Sequence, residues 1–208
     1  MMYQKSTLIS LKNILLITFC LALFSCGKRY DHDDGHAFIK SAREAVQQND
    51  LALAETYLDK ASNSNYGFCG NSWAGAKGNI TLIQAEILNK KKKHDEALQL
   101  LEAMNGCPLG ADCNKRDSLK IETLFLKHGK DKVVKAFQSV STVRKNVNEN
   151  GFDSYSVYVE ELAYTFTFAE SFPDYKFDEN DRVINPKIDY NNFFSILKAY
   201  NFDALLED

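Results

Sequence analysis

Apolar residues recur every three or four positions between residues 37 and 140, a spacing that places them on one face of a helix. Polar and turn-forming residues interrupt this pattern, so the sequence predicts six helices joined by connections. The shortest break, at 48–50, brings the first two helices together antiparallel. The predicted helices span 37–48, 51–61, a start between 73 and 79 to 90, 95–104, 118–127 and 131–140.

The six predicted helices form three pairs with a similar internal spacing. Ala54 and Ala97 occupy matching places in the second helices of the first two pairs, and Val133 takes that place in the third. A large apolar residue follows each of them four positions later. This arrangement resembles tetratricopeptide repeats, which have a period of 34 and a small residue near the start of the second helix. The spacings here are 43 and 36 residues.

The resemblance implies an all-α fold in which residues 37–145 form a tetratricopeptide-like solenoid of helix-turn-helix repeats. The first helices of such repeats form a concave surface suited to an extended peptide or a partner protein. A generic helical bundle with the same apolar stripes is the alternative. Both interpretations keep the fold class all-α.

The last part of the chain, 146–208, is predicted to be a helical region that caps the final repeat, because a solenoid end otherwise exposes its core. A long helix is expected over 153–171, and a final helix over 188–200. The run Tyr164–Phe168 gives a competing signal, since its alternation is typical of a strand. The residues that share one helical face in the long segment are Phe152, Tyr155, Val159, Leu162, Phe166 and Ala169.

The N-terminal segment has the layout of a secretory signal peptide. Lys5 and Lys12 precede the apolar run 14–24, and a small residue follows it. The run is shorter than the ~20 residues that a membrane-spanning helix needs. We therefore expect residues 1–25 to be a cleaved signal, with an uncleaved membrane anchor as the alternative.

The sequence Leu23-Phe24-Ser25-Cys26 resembles the lipobox of bacterial lipoproteins. The resemblance implies that Cys26 is acylated, becomes the first residue of the mature chain and holds it at a membrane. Two or three acyl chains give a stable anchor, because each buried CH₂ contributes about 0.8 kcal/mol. Gly27, where an inner-membrane lipoprotein often has Asp, favours the outer membrane of the cell envelope. The alternative is an ordinary cysteine behind a conventional signal.

Residues 26–36 are rich in acids and are expected to form a solvated tether. An alternative is a metal site, but Gly35 and the position before the first predicted helix favour the tether. Its candidate ligands are Asp31, His32, Asp33, Asp34 and His36. A calcium loop at 174–180 lacks the required glycine. No metal site is predicted.

Three further cysteines remain after signal removal, and export would place them where thiols pair. Cys107 and Cys113 enclose a short turn-rich loop, so we expect them to form a disulfide, with a bridge from Cys69 to one of them as the alternative. Zinc is not expected, because no histidine lies at ligand spacing. A lone catalytic role for Cys69 has no supporting motif.

Charge and motifs limit the functions that fit. The part after residue 25 has 23 Lys and Arg against 28 Asp and Glu, so no nucleic-acid partner is expected. The basic run 90–93 is interpreted as a solvated turn. No catalytic or cofactor-binding motif occurs, and we expect neither an enzyme nor a cofactor.

The resulting hypothesis is a lipid-anchored, non-enzymatic scaffold that binds a protein or peptide partner at a membrane. One alternative is a small-molecule or glycan-binding lipoprotein of an uptake system, whose site would be lined by Trp73 and the C-terminal aromatic residues. Another is an immunity or inhibitor lipoprotein.

Overall fold

The computed structural model describes residues 30–104, 112–146, 154–169, 176–177, 183–184, 193–199 and 202. These residues are mostly helical, with one three-stranded antiparallel sheet and one two-stranded antiparallel pair. The helices are α1 (His32–Gln47), α2 (Leu51–Ser62), α3 (Gly70–Lys90), α4 (His94–Glu102), α5 (Cys113–His128), α6 (Lys130–Ser139) and α7 (Phe193–Ala199). The strands are β1 (Arg144–Asn146), β2 (Ser154–Val159), β3 (Tyr164–Ala169), β4 (Lys176–Phe177) and β5 (Val183–Ile184).

The first six helices confirm the number and order predicted from the apolar stripes, with shifted ends. Each odd-numbered helix packs along the even-numbered helix that follows it. In addition, α3 contacts α1 and α2, and α5 contacts α3 and α4. The stripe residues Ala54, Ala97 and Val133 are completely buried, because they face the partner helix of their pair. No helix in the described ranges has the length and apolar character needed to cross a membrane.

Helix α1 begins at His32, five residues earlier than the sequence predicted. The Asp31 carboxylate accepts hydrogen bonds from the backbone N–H of Asp33 (3.0 Å) and of Asp34 (2.9 Å), while the Asp34 side chain accepts from the Asp31 N–H. These bonds form a capping box, and acids in a first turn are stabilised by the helix dipole. The structure therefore places residues 32–36 in α1 and corrects the predicted tether over that stretch.

Position 35 in α1 requires glycine, because its neighbours leave no room for a side chain. A Cβ at this position would approach both Ser64 Cβ and the Tyr66 ring to 2.8 Å. The Tyr66 hydroxyl donates to the Ala61 carbonyl oxygen (2.9 Å), which fixes the ring against α1. The glycine that had indicated a flexible segment is thus required by close packing.

The predicted helix over 153–171 is wrong, because β2 and β3 form an antiparallel hairpin there. Val157 is buried and pairs with Phe166, although it lies off the helical stripe that supported the prediction. The hairpin turns through a short 3₁₀ helix, Glu160–Leu162, and through Ala163 in the left-handed conformation with φ +48°. Burial on alternate strand residues accounts for the apolar side chains as well as the helical stripe did.

The hairpin and α7 pack against the last helix pair. The Phe137 ring of α6 lies 6.1 Å from the Phe166 ring and 5.0 Å from the Phe193 ring between centroids. These residues belong to one apolar cluster with Ile121 and Leu124 of α5. The end of the helical region is therefore covered, but by strands and one short helix. Helix α7 falls within the predicted final helix, whose remaining residues lie outside the described ranges.

Candidate binding groove

An open groove of about 530 Å³ runs across the three odd-numbered helices. Helices α1, α3 and α5 contribute all of its lining except Asp112, the N-cap residue of α5. The even-numbered helices lie outside this surface. The lining residues are Arg43, Gln47, Asn79, Leu82, Glu86, Asn89, Lys90, Asp112, Lys115, Leu119, Glu122 and Leu126.

Helical periodicity explains why these residues share one surface. On α5, Lys115, Leu119, Glu122 and Leu126 follow one another at intervals of four, three and four residues. Such intervals keep side chains on one side of a helix. On α1 the two lining residues are four apart, and on α3 they are three or four apart except for the adjacent Asn89 and Lys90, so each helix turns one side towards the groove.

The groove has an apolar floor and polar walls. Leu82 and Leu119 are buried at the floor, where α3 meets α5. An Arg43 guanidinium N–H donates to the Asn79 side-chain oxygen (3.4 Å), which links α1 to α3. The Lys115 ammonium lies 3.5 Å from a Glu86 carboxylate oxygen, which links α5 to α3. The first is a hydrogen bond and the second an ion pair, and both leave the groove accessible.

Asn89 is held rigidly at one end of the groove. Its side-chain amide N–H donates to the Thr123 hydroxyl oxygen (2.7 Å), and its side-chain oxygen lies 3.3 Å from His94 Nδ1. The Thr123 hydroxyl in turn donates to the Leu119 carbonyl oxygen (2.6 Å). Because Asn89 is buried and held from two sides, its orientation is set before any ligand arrives.

The lining combines amide, charged and apolar side chains. Two of its three side-chain amides already bond within the chain: Asn79 also donates to the Gly75 carbonyl oxygen (3.1 Å), and Asn89 is held by Thr123 and His94. Positive and negative side chains occur in equal number, which does not select a strongly charged ligand. The apolar floor can bury an aliphatic side chain. The amides are Gln47, Asn79 and Asn89, and the charged residues are Arg43, Lys90, Lys115, Glu86, Asp112 and Glu122.

A separate buried network joins α4, α5 and β3. The Lys120 ammonium is almost fully buried and lies 3.1 Å from a Glu102 carboxylate oxygen and 3.6 Å from Asp117. It also donates to the Thr167 carbonyl oxygen (2.6 Å), and the Tyr164 hydroxyl donates to Glu102. Arg116 binds Asp117 through two N–H groups (2.7 and 3.0 Å).

Burial is the largest cause of the pKa shifts of Lys120 and Tyr164 in this network. Desolvation lowers the pKa of Lys120, and the carboxylates of Asp117 and Glu102 oppose that shift without overcoming it. Desolvation also raises the pKa of the Tyr164 hydroxyl, with the Glu102 carboxylate acting in the same direction. None of these residues lines the groove. The contacts of Lys120 with Thr167 and of Tyr164 with Glu102 attach the sheet to the helices.

Of the four cysteines in the predicted sites, the described residues include Cys69 and Cys113. Cys26 and Cys107 lie outside the described residues, and so does the predicted signal peptide. Cys113 is the first residue of α5, and its disulfide with Cys107 stays a prediction. Cys69, at the start of α3, is an exposed free thiol.

The predicted histidine and acid cluster lies at the start of α1, and the basic run 90–93 joins the end of α3 to α4. His32 Nδ1 lies 3.1 Å from an Asp33 carboxylate oxygen, and the His32 and His36 rings are 4.5 Å apart. Within the described ranges, no group of three His, Cys, Asp or Glu side chains could hold a metal ion. Of the basic run 90–93, Lys90 lines the groove while Lys91 pairs with Glu55.

Sequence reasoning missed the polar groove residues. They repeat with the same helical spacing as the apolar stripes, but on the adjoining side of each first helix. That second row was available as a signal for α3, where Asn79, Glu86 and Asn89 flank the buried stripe. Which rows meet depends on how the helices pack together, and the sequence of one helix does not contain that information.

No protein-family model matches the chain, no curated protein matches it, and no solved structure matches it. The function proposed below therefore rests on the residues and geometry of this chain.

Proposed function

We propose that this chain is a lipid-anchored envelope protein that acts as a non-enzymatic interaction scaffold. Its groove across α1, α3 and α5 binds an extended segment of a partner protein. The observation that carries the proposal is that all three first helices turn one polar row towards the same groove, over the apolar floor of Leu82 and Leu119. Repeat proteins present their concave surfaces through this arrangement of first helices.

The packing of the helices supports a degenerate tetratricopeptide-like organisation. Helix α3 contacts its own second helix α4, both helices of the preceding pair and the next first helix α5. Helix α5 likewise contacts its own second helix and both helices of the preceding pair. This is the neighbour-to-neighbour pattern expected of stacked helix pairs. The strands and α7 then act as the terminal cap that a stack of pairs needs.

The lipobox-like segment supports attachment to a membrane through Cys26, and Gly27 favours the outer membrane. The glycan-binding alternative placed Trp73 and the C-terminal aromatic residues in one site. Trp73 is half exposed, whereas Tyr155, Phe166 and Phe193 are buried in the core, so these C-terminal residues do not support that alternative. No observation favours the immunity alternative over the scaffold.

Comparative capture of partners tests the groove. Leu126 is an exposed groove residue, so Leu126→Asp should place a charge there without disturbing the core. Leu53→Asp is the matched control, because Leu53 is exposed on α2, away from the groove. We expect a partner that is captured by the wild type and Leu53→Asp to be lost from Leu126→Asp. A partner retained equally by both variants would place its binding site elsewhere.

Intact-mass measurement tests the anchor independently. The mature chain should begin at Cys26 and carry the added mass of fatty acyl groups. Cys26→Ala should abolish both cleavage at this position and acylation. An acylated Cys26→Ala protein would contradict the assignment.

A further inference from the structure

The described chain begins beside the connection between α2 and α3. The Asn65 backbone N–H donates to the Tyr30 carbonyl oxygen (2.9 Å), and His32 Nε2 lies 3.1 Å from the Ser72 hydroxyl oxygen. These contacts join the start of α1 to residues 65–72. The point at which the chain enters the helical region and the start of α3 therefore lie at one end of the molecule.

This end exposes two large aromatic side chains. Phe68 is completely exposed, and Trp73 is 52% exposed. In the sequence they lie on either side of Cys69, the N-cap residue of α3, and the preceding Gly67 takes a positive φ of 79°. The Lys77 ammonium lies 5.1 Å from the Trp73 ring centroid. Aromatic residues usually bury about 150–250 Å² each, whereas Phe68 is uncovered and about half of Trp73 is accessible.

Covalent geometry limits how far this end can lie from a lipid attached to Cys26. Cys26 precedes Tyr30 by only four residues, and a fully extended chain spans roughly 14 Å over that distance. The early start of α1 leaves no longer tether between the two. If Cys26 is acylated, as the proposed function requires, the end that bears Phe68 and Trp73 lies at the lipid headgroups.

We propose that Phe68 and Trp73 form a second membrane contact, which enters the interfacial region of a phospholipid bilayer and orients the protein on it. Tryptophan prefers this region, where its ring is in apolar surroundings and its N–H stays in polar ones. The inference rests on the lipid anchor of the proposed function and adds a protein surface to it.

The contact is apolar rather than electrostatic. Charges of both signs lie near this end: Asp31, Asp33 and Asp34 at the start of α1, Lys77 beside Trp73, and Lys28 and Arg29 just after Cys26 in the sequence. A bilayer of zwitterionic phosphatidylcholine therefore isolates the contribution of the aromatic side chains.

The contact would also keep the groove away from the membrane. Arg43 lies eleven residues after His32, which is about 16 Å along α1. A partner segment could then reach the groove while the other end of α1 stays at the bilayer.

Fluorescence of Trp73 provides the test, because it is the only tryptophan in the chain. The acylated protein is reconstituted in phosphatidylcholine vesicles, with bromine atoms placed at known depths on the lipid chains. We expect a shift of Trp73 emission to shorter wavelength, quenching by the shallowest bromines and a several-fold loss of quenching by aqueous iodide. Phe68→Ser should reduce the lipid quenching, whereas Leu53→Ser, at an exposed position on α2, should leave it unchanged.

Each outcome is decisive. Acylated protein whose Trp73 stays fully accessible to iodide and is not quenched by lipid would overturn the second contact and leave the anchor intact. A mass that shows no acylation would overturn the anchor and, with it, the placement of the patch. Lipid quenching of Trp73 that appears only in vesicles containing anionic phosphatidylglycerol would overturn the apolar mechanism.

Discussion

Gly35 is the position at which the packing between α1 and the loop after α2 leaves no room for a larger side chain. Replacing a helical glycine by alanine normally stabilises a helix by about 1 kcal/mol. Here the added methyl would approach Ser64 and the Tyr66 ring to 2.8 Å. We therefore expect Gly35→Ala to lower the free energy of unfolding by roughly 1–3 kcal/mol, the usual range for overpacking.

Gly70 provides the matched control, because it is also helical and nothing lies within 4 Å of the position its Cβ would take. Gly70→Ala should leave the stability unchanged or raise it slightly. Urea unfolding of both variants measures the difference. A Gly35→Ala protein as stable as Gly70→Ala would show that Tyr66 does not pack against α1 as described.

His128 makes stability depend on pH. Burial, with Lys127 and Lys132 nearby, lowers its pKa below the ordinary value, and Asp95 opposes this shift only in part. Within the described residues, its Nε2 atom is buried without a hydrogen-bond partner. The folded state therefore binds the proton less readily than the unfolded state. The associated stability is fully present above about pH 6.5 and is lost as the pH falls towards the folded pKa.

His128→Gln removes this titration. Between pH 7.5 and 5.5 the wild type should lose more unfolding free energy than the variant, as measured by chemical denaturation at each pH. Parallel pH dependences of the two proteins would mean that His128 titrates normally in the folded state.

Among the secondary-structure elements, the hairpin of β2 and β3 is open to the sharpest test. Ala163 occupies the left-handed region, which costs an L-residue about 1–2 kcal/mol and costs glycine little. Ala163→Gly should therefore raise or preserve the free energy of unfolding. Ala37→Gly, at an exposed position inside α1, should lower it by about 1 kcal/mol. If residues 153–171 were helical, both substitutions would destabilise the protein to a similar extent.

The buried ion pairs of α5 should matter much more than its surface pair. Lys120→Met leaves Glu102 without its ammonium partner in a largely desolvated site, and about 3 kcal/mol of stability should be lost. Lys115→Met, on the same helix, breaks a partly exposed pair with Glu86 and should cost at most about 1 kcal/mol. Equal losses in thermal or urea unfolding would show that the network does not attach the sheet.

The six helices could be predicted because each has its own apolar stripe and its own interruption. Asp50, for example, was expected to cap α2, and its carboxylate accepts from the Leu53 N–H (3.1 Å). The hairpin could not be predicted with equal certainty, because Tyr155, Val159 and Phe166 fit both a helical stripe and strand alternation. The alternation over Tyr164–Phe168 favoured a strand, and the burial of Val157, set by packing against the last helix pair, separates the two interpretations for the first half of the segment.

At the scale of the whole molecule, the groove depends on contacts that no single helix contains. Arg43 meets Asn79 across 36 positions of sequence, and Lys115 meets Glu86 across 29. The stripes predicted which helices pair, but they carried no information on which polar rows converge. The proposed function and the proposed membrane contact follow from that assembly, because both depend on which ends and faces lie together.

Site-specific photo-crosslinking in the producing cell tests the central claim most directly. A photoreactive residue is placed at Gln47, in the groove, and at Gln99, which is exposed on α4 outside it. The groove account predicts that one partner is cross-linked through position 47 and not through position 99. A partner cross-linked only through position 99, or no cross-link from position 47 in correctly acylated and folded protein, would contradict it.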